Sequence, residues 1–592
     1  MKYPTLTEMN VSREWLDEFK GYNHNLRIGE GEFYEMSNLT SDNYPILSPR
    51  SKRGIYATPA KPQGMVAKDA ICYIDGDKFI INEYRIDMEL SEEKDEEGKV
   101  IPKTLISMGA YVIIMPDKKY INTADLTDFG NIEAAVTTSG QVSFELCKVD
   151  GTAYENTQAQ ATAPEITEEM EADPSEIPLW IDTSSTPHSL KQYSTASAMW
   201  STIGTTYIKI TATGIGKPFE VNDGVTISGV ESEALADLNA SIIILAKGDN
   251  YIVVTGILDQ VTTQTEPITV ERRMPEMDFI VESGNRLWGC RYGEQGNQIV
   301  NEIYASKLGD FKNWSCYQGI STDSYAVTVG TDGQFTGAIT HLGYPIFFKE
   351  NFMHKVYGSY PANFQVQTTA CRGVQKGCGK SLAIVNEVLY YKARTGVCAY
   401  DGSLPQEISA ALGDMAYSKA VAGHIGNKYY ISMCDAEGDY HLFVYDTLKG
   451  MWHREDATEV IDFCNCRGDL YFIDWADNQI KTVKGTGPVK ESRPISWEAV
   501  TGIIGTDSPD KKYVSRIDVR MMLEPGAVVS FFAEYDSSGE WELLFNMTGR
   551  DLRTFPVPVR PKRCDHLRLK ICGSGDAKIF SICKSIEWGS DM

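Results

Sequence analysis

The sequence predicts an all-β protein: a six- or seven-bladed β-propeller with an inserted small β domain and a C-terminal antiparallel β-sandwich. Three observations predict it. The first is a local pattern that occurs seven times, a turn pair followed by a short apolar or aromatic strand and then a second strand. The second is its spacing. From Gly284 the copies start at Gly343, Asn386, Gly426 and Gly468, close to the roughly 40 to 45 residues that a blade of several short strands requires. The third is composition, with 31 tyrosines and 50 glycines and few long helical periods, which favours strands joined by tight turns.

Residues 1–60 precede the repeats. They are aromatic and Asn-rich, contain proline, and carry a basic patch at Arg50, Lys52 and Arg53. This stretch is expected to be an extended arm. The first blades are assigned to 61–129, with copies of the pattern at Gly76 (GDKFIINEYRI) and Gly109 (GAYVIIMPDKKYI). The acidic run Ser91 to Lys99 is expected to be a solvated hairpin tip within the first blade.

The spacing breaks between Gly109 and Gly284, a gap too long for one or two blades. Residues 130–273 are therefore assigned to an inserted β domain, a small barrel or sandwich. Within it, Pro164 to Pro178 holds six acids and three prolines and reads as an exposed linker. YIKITATG, KPFEVNDGVTISGV and ASIIILAKGDNYIVVTGIL then alternate as strands with Asn-Asp-Gly and Lys-Gly-Asp-Asn turns.

The remaining blades are assigned to 274–488. The Gly426 copy shows the unit most clearly. Gly426-Asn427 turns, Tyr429 to Met433 runs as a strand, Asp435 to Asp439 forms a tip, and His441 to Tyr445 returns. Asp446 to Gly450 then turns into Met451-Trp452. A blade of this kind cannot bury both faces alone, and stacking around a ring buries them. In 489–592 the period stops. Ile517, Val519, Met521 and Leu523 alternate with polar residues, as do Val529, Phe531, Ala533 and Tyr535. That is the pattern of a sheet with one buried face, and Asp536-Ser537-Ser538-Gly539 is its hairpin turn.

Bulk charge excludes some functions. There are 81 acidic and 56 basic residues, a net charge of −25. Phosphate contact needs clustered Lys and Arg, so nucleic acid is not bound by bulk attraction. The N-terminal MKYPTLTEMNVSREW lacks a secretory apolar region, and no apolar run is long enough for a membrane span. Thirteen cysteines at low density point to free thiols in a reducing compartment.

No catalytic, cofactor-binding or metal-binding residue is assigned. The histidines His24, His188, His341, His354, His424, His441, His453 and His566 are scattered, with no metal-type spacing. Cys464 and Cys466 share a strand face and Cys371 and Cys378 share a loop, but paired C-x-x-C spacing is absent. Asp435, Glu437 and Asp439 alternate as in calcium loops, yet Asp446 stands where the closing Glu would be needed. Nucleotide-binding and serine-hydrolase signatures are also absent. The chain is expected not to be an enzyme and to need no cofactor.

Three segments carry a resemblance: YEMSNLTSDNYPILSPRSKRG in the arm, RLWGCRYGEQGNQIVNEIYASKLGDFKNW from Arg286 to Trp314, and KKYVSRIDVRMMLEPGAVVSFFAEYDSSGEWELL near the C-terminus. Together they resemble the propeller proteins of phage tails and necks, of the tail-nozzle or packaged-DNA stabilisation type. The inserted domain departs from the simplest members. The resemblance implies a structural component of a virion tail or head-tail connector, made in the host cytoplasm. It implies a homo-oligomeric ring, a hexamer favoured, that meets portal or adaptor and tail-fibre proteins. DNA would pass through its channel without specific binding, past a wall whose negative charge repels the backbone. The alternatives are a ligand- or carbohydrate-binding propeller acting as a receptor-binding protein, and a propeller glycoside hydrolase. YDSSGEWELL, Tyr535 to Leu544, is similar to the Asp-box hairpin of sialidases, but it occurs once and with different internal spacing.

Overall fold

A computed structural model describes residues 11–94, 98, 100–153, 165–167, 178–182, 184, 188–258, 261–296, 298–506, 511–549, 551–560 and 562–588. The protein is all-β, with short 3₁₀ turns as its only helical pieces among those residues.

Seven small sheets follow one another along the chain. Sheet 1 runs Pro62–Ala67, Ile71–Asp75, Lys78–Ile81, Tyr84–Asp87, and sheet 2 runs Thr104–Met108, Tyr111–Met115, Lys119–Asn122, Phe129–Asn131. Sheets 3, 4 and 5 begin at Phe279–Ser283, Phe335–His341 and Ala383–Val385, and each is again a four-stranded antiparallel meander. Sheet 6 is Ser418–Ile425, Lys428–Cys434, Tyr440–Asp446, Met451–Arg454. Sheet 7 is Val460–Cys466, Asp469–Asp474, Ile480–Thr482, and its fourth strand is Gly54–Ala57 from the opposite end of the chain.

The first strands of these sheets touch in series. Pro62–Ala67 meets Thr104–Met108, which meets Phe279–Ser283, which meets Phe335–His341. The turn Gly379–Ser381 before sheet 5 meets both Phe335–His341 and Ser418–Ile425. Ser418–Ile425 meets Val460–Cys466, and that strand meets Pro62–Ala67.

Six of the seven sequence copies mark the same place, the turn from first to second strand: Gly109, Gly284, Gly343, Asn386, Gly426 and Gly468. Gly76 instead joins the second strand of sheet 1 to the third. The turn that corresponds to the other six, Lys68 to Ala70, holds no glycine. Tyr429 to Met433 lies in a second strand. The first strand, Ser418–Ile425, precedes the turn. The acidic run Ser91 to Lys99 lies after the fourth strand of sheet 1, in the connection to sheet 2. It lies between sheets and not within the first blade; Lys94 and Val100 form an antiparallel bridge across it, and 95–97 and 99 fall outside the described residues.

Between sheets 2 and 3 the chain builds the insert. A four-stranded sheet (Ala134–Thr137, Thr269–Arg272, Gly224–Ser228, Ser241–Ile243) shares a core with a five-stranded one that contains Val142–Cys147, Tyr207–Thr211 and Tyr251–Thr255. Val142, Phe144, Ile210, Ile252 and Val270 are fully buried between them. Of the expected linker Pro164 to Pro178, only Glu165–Thr167 and Pro178 are described. Glu165–Thr167 is a strand parallel to Trp180–Asp182.

The arm expected over 1–60 is extended but not separate; 1–10 fall outside the described residues. Val11–Leu16 pairs with Ala577–Trp588, Glu32–Ser37 with Ser496–Thr501, and Gly54–Ala57 closes sheet 7. The C-terminal region is accordingly not self-contained. One sheet orders Val11–Leu16, Ala577–Trp588, Lys512–Leu523 and Asp551–Val557. The facing sheet is sheet 6 prolonged through Gly21–Tyr22, Glu32–Ser37, Ser496–Thr501, Leu567–Ser574 and Val528–Tyr535 to Glu542–Thr548, ten strands in all. The alternating residues Ile517, Val519, Met521, Val529, Phe531 and Ala533 are buried in one core with Phe33, Tyr429, Phe443 and Trp452. Alternation tells which face of a strand is buried but not which strand lies beside it.

Candidate functional site

A cleft of about 280 Å³ opens where sheets 6 and 7 meet the N-terminal segment. Thr40, Asp42, Arg50, Arg53, Lys428, Asp446, Lys449 and Glu455 line it. Glu455 and Asp456 follow the last strand of sheet 6, and Gly54–Ala57 in sheet 7 draws Arg50 and Arg53 against them.

Every charge here has a partner. Arg53 donates from Nη2 to Glu455 at 2.8 Å and from Nη1 to Asp456 at 2.8 Å, while its guanidinium lies 5.0 Å from the Phe472 ring centroid. Arg50 donates from Nη1 to Glu491 at 3.1 Å and from Nε to Asn38 Oδ1 at 2.7 Å. Lys428 donates to Thr40 Oγ1 at 2.7 Å and Asp42 at 2.6 Å. Asp446 accepts from Ser41 Oγ at 2.6 Å and Lys449 Nζ at 3.0 Å.

Electrostatics follow from the pairing. Burial pushes the Asp456 carboxyl up, but Arg53, Thr458 and Arg50 outweigh it and hold it below the ordinary range. Glu491 is lowered by Arg50 against the same burial, Asp446 by Ser41 and Lys449, and Asp42 by Lys428. Burial alone would lower Arg53, yet Asp456 and Glu455 raise it. A general acid needs a carboxyl raised toward neutrality, and these four shifts run the other way. The cluster fastens the arm to sheets 6 and 7. Removing one partner of such a pair costs about 3–5 kcal/mol, because the other charge stays buried. The basic patch is thus answered internally at Arg50 and Arg53, while Lys52 is exposed.

The histidines stay apart. His341 Nε2 lies 2.6 Å from the Glu387 carbonyl, and His354 sits between Thr331 and Thr368 hydroxyls at 2.9 Å each. Burial pushes His354 down to about 4 and His453 to about 3. It also lowers His424. His24 meets the Tyr34 carbonyl at 2.9 Å, and His188 is exposed.

Cys464 and Cys466 are buried between sheets 7 and 1, whereas Cys378 belongs to the core of sheets 4 to 6 and Cys371 packs against that core. All thirteen cysteines are free thiols, and among the described residues no group of three His, Cys, Asp or Glu could hold a metal ion. Asp435 turns its carboxylate onto its own hairpin. Oδ1 accepts from the Glu437 and Asp439 N–H groups at 3.1 and 2.8 Å, and Oδ2 meets His441 Nε2 at 2.7 Å. It closes a turn rather than an ion loop.

One constellation escaped the sequence. Ser537, His566 and Asp565 lie in hydrogen-bonding line at the tip of the Val528–Tyr535 hairpin. Asp565 and His566 are neighbours in sequence, but nothing local links them to a serine 29 positions earlier.

No family model and no curated protein matches the chain. Among solved structures, it is similar to Chaetomium thermophilum Raptor at 9% identity and TM-score 0.28, over 73% of this chain and 29% of that one. The chain thus spans under a third of Raptor's length. A GH43 glycoside hydrolase with an engineered active site matches at 9% identity and TM-score 0.20, over 53% and 97% of the two chains. A Trypanosoma rangeli sialidase matches at 8% identity and TM-score 0.16, over 85% and 94%. At these scores none of the three bears on architecture or activity.

Proposed function

We propose that the chain is a scaffold: a seven-bladed propeller that serves as a structural component of a phage tail or head-tail connector. The observation that carries this reading is the double fastening of sheet 7. Sheet 7 meets sheet 1 through its first strand and takes its fourth strand from Gly54–Ala57, while Arg53 pairs with Glu455 at the end of sheet 6 and Arg50 with Glu491. A ring closed by strand exchange between distant segments resists opening, as a part under mechanical load must. The resemblance of the arm, the Arg286–Trp314 segment and the C-terminal segment supplies the virion context.

In this reading, copies assemble side by side as a ring, a hexamer favoured, beneath the portal or adaptor and beside tail fibres. DNA leaves through the central channel. The innermost strands of the seven sheets carry only two acids, Glu282 and Asp462, beside Lys419. Most of the acidic surplus therefore lies on outer strands and loops, where an inter-subunit lumen would run, and there it repels the DNA backbone.

Asp42, Asp446 and Glu455 in the cleft are already bonded to cations or hydroxyls, which disfavours the glycoside hydrolase reading. The carbohydrate-binding reading draws on one feature of the insert. Trp180, Trp200 and Tyr193 form an aromatic cluster, with centroids 5.6 and 5.3 Å from Trp200, beside the exposed Met199.

Light scattering and negative-stain imaging of the full chain test the scaffold. Rings of several copies with an axial channel are expected; a monomer at micromolar concentration overturns the proposal.

A further inference from the structure

The hairpin tip of the C-terminal sandwich holds a serine, a histidine and an aspartate in series. Ser537 Oγ lies 2.7 Å from His566 Nε2, and His566 Nδ1 lies 2.9 Å from Asp565 Oδ2. Nε2 toward serine and Nδ1 toward carboxylate is the arrangement that lets an imidazole take a hydroxyl proton while the carboxylate fixes its tautomer.

The two segments are locked together by Asp536. Its N–H donates to the His566 carbonyl at 3.0 Å, and its Oδ1 accepts from the Asp565 and His566 N–H groups at 2.7 and 3.3 Å. Those bonds and the pairing of Val528–Tyr535 with Leu567–Ser574 fasten the hairpin without the Ser537–His566 contact. Asp536 and Ser537 adopt φ of 53° and 50°, a left-handed pair that turns the chain tightly and presents Ser537 at an exposed apex. The bond to His566 lowers the Asp565 carboxyl, keeping it ionised. The His566 side chain is 22% exposed.

We infer that Ser537 is an activated nucleophile that accepts an acyl group from an ester, with His566 as its general base and Asp565 as the positioning carboxylate. The Ser537 oxygen bonds to the acyl carbon as its proton passes to His566 Nε2. The bond from that carbon to the ester oxygen then breaks, and the leaving alcohol takes the proton back from Nε2. Water repeats the route, releasing the acid and restoring the hydroxyl. Asp536 to Glu540 are all exposed, so the tip offers no apolar pocket for a long acyl chain. The fitting substrate class is an ester of a small acyl group, such as acetyl. The site lies in the sandwich, is independent of the scaffold reading, and departs from the expectation of a chain without catalytic residues.

The test is covalent labelling of the full chain with a fluorophosphonate probe, read by intact mass and peptide mapping, alongside p-nitrophenyl acetate hydrolysis. One adduct on Ser537 is expected. Ser537→Ala abolishes it, Ser538→Ala keeps it, and His566→Gln slows it by roughly 100-fold or more. Asp565→Asn slows labelling by a smaller factor without removing it. An unlabelled wild-type chain, an adduct that survives Ser537→Ala, or unchanged labelling in His566→Gln overturns the inference.

Discussion

Two buried imidazoles make the stability of this protein depend on pH in the mildly acid range. His453 is 4% exposed, and burial, aided by Lys428 and opposed by Asp446 and Asp42, holds it down to about 3. His354, fully buried, is held down to about 4 by burial and by Lys349. Unfolded histidine takes its proton near pH 6.5. Above that pH both states are neutral and the full stability is present. As pH falls below about 6.5, down to about 4 for His354 and about 3 for His453, only the unfolded chain is protonated, and each histidine removes roughly 1.4 kcal/mol per pH unit. The paired carboxylates add their own loss only below about pH 4. Urea denaturation at pH 7.5 and 5.5 should therefore differ by about 3 kcal/mol, and His453→Asn should flatten the slope. Equal stability at the two pH values would contradict this account of the burial.

Gly21 shows how much of an element depends on one absent methyl. The two-residue strand Gly21–Tyr22 joins Met451–Arg454 to Glu32–Ser37 and so makes two sheets into one. Gly21 has φ of 86°, and a Cβ there would lie 2.4 Å from the Trp452 carbonyl oxygen and 3.1 Å from the His453 ring. Gly21→Ala should cost about 2–4 kcal/mol, through both the backbone and the clash. Gly526→Ala, at φ of 88° in open space, should cost about 1 kcal/mol, and chemical denaturation of the two variants measures the difference. Nothing in the letters around Gly21 names its neighbour 431 positions on. The same limit runs through the fold. Turn chemistry and alternation are local, so the Gly426 hairpin and the buried face of Ile517 to Leu523 were legible. Pairing is not local, so the strands at Val11, Glu32 and Gly54 looked like a loose arm. The Ser537–His566 contact was hidden for the same reason, and Gly76 imitated a repeat while marking a different turn.

At the scale of the molecule, cores decide which parts can stand alone. The insert has its own, centred on Phe144, Ile210 and Val270. It meets sheet 3 through polar contacts such as the Gly224 N–H on Asn313 Oδ1 at 2.8 Å. The sandwich has none of its own: Phe531 and Val519 share a core with Trp452 and Tyr429 of sheet 6. Residues 130–273 expressed alone should melt cooperatively, and residues 489–592 alone should not. Calorimetry of the full chain should show two transitions, the insert as one and the seven sheets with the sandwich as the other.

The closure of sheet 7 also sets a clock on biosynthesis. Gly54–Ala57 leaves the ribosome early, but its partner Ile480–Thr482 is translated more than 400 residues later. At about 5–20 residues per second, the strand waits roughly 20 to 85 seconds with its edge unpaired. Val11–Leu16 waits longer still, for Ala577–Trp588. Each nascent chain therefore carries an open strand edge from the synthesis of Val11–Leu16 to that of Ala577–Trp588, when neighbouring chains on the same message offer the same edges. The delay makes this interval, rather than the finished fold, the stage at which a translation-coupled chaperone would matter most.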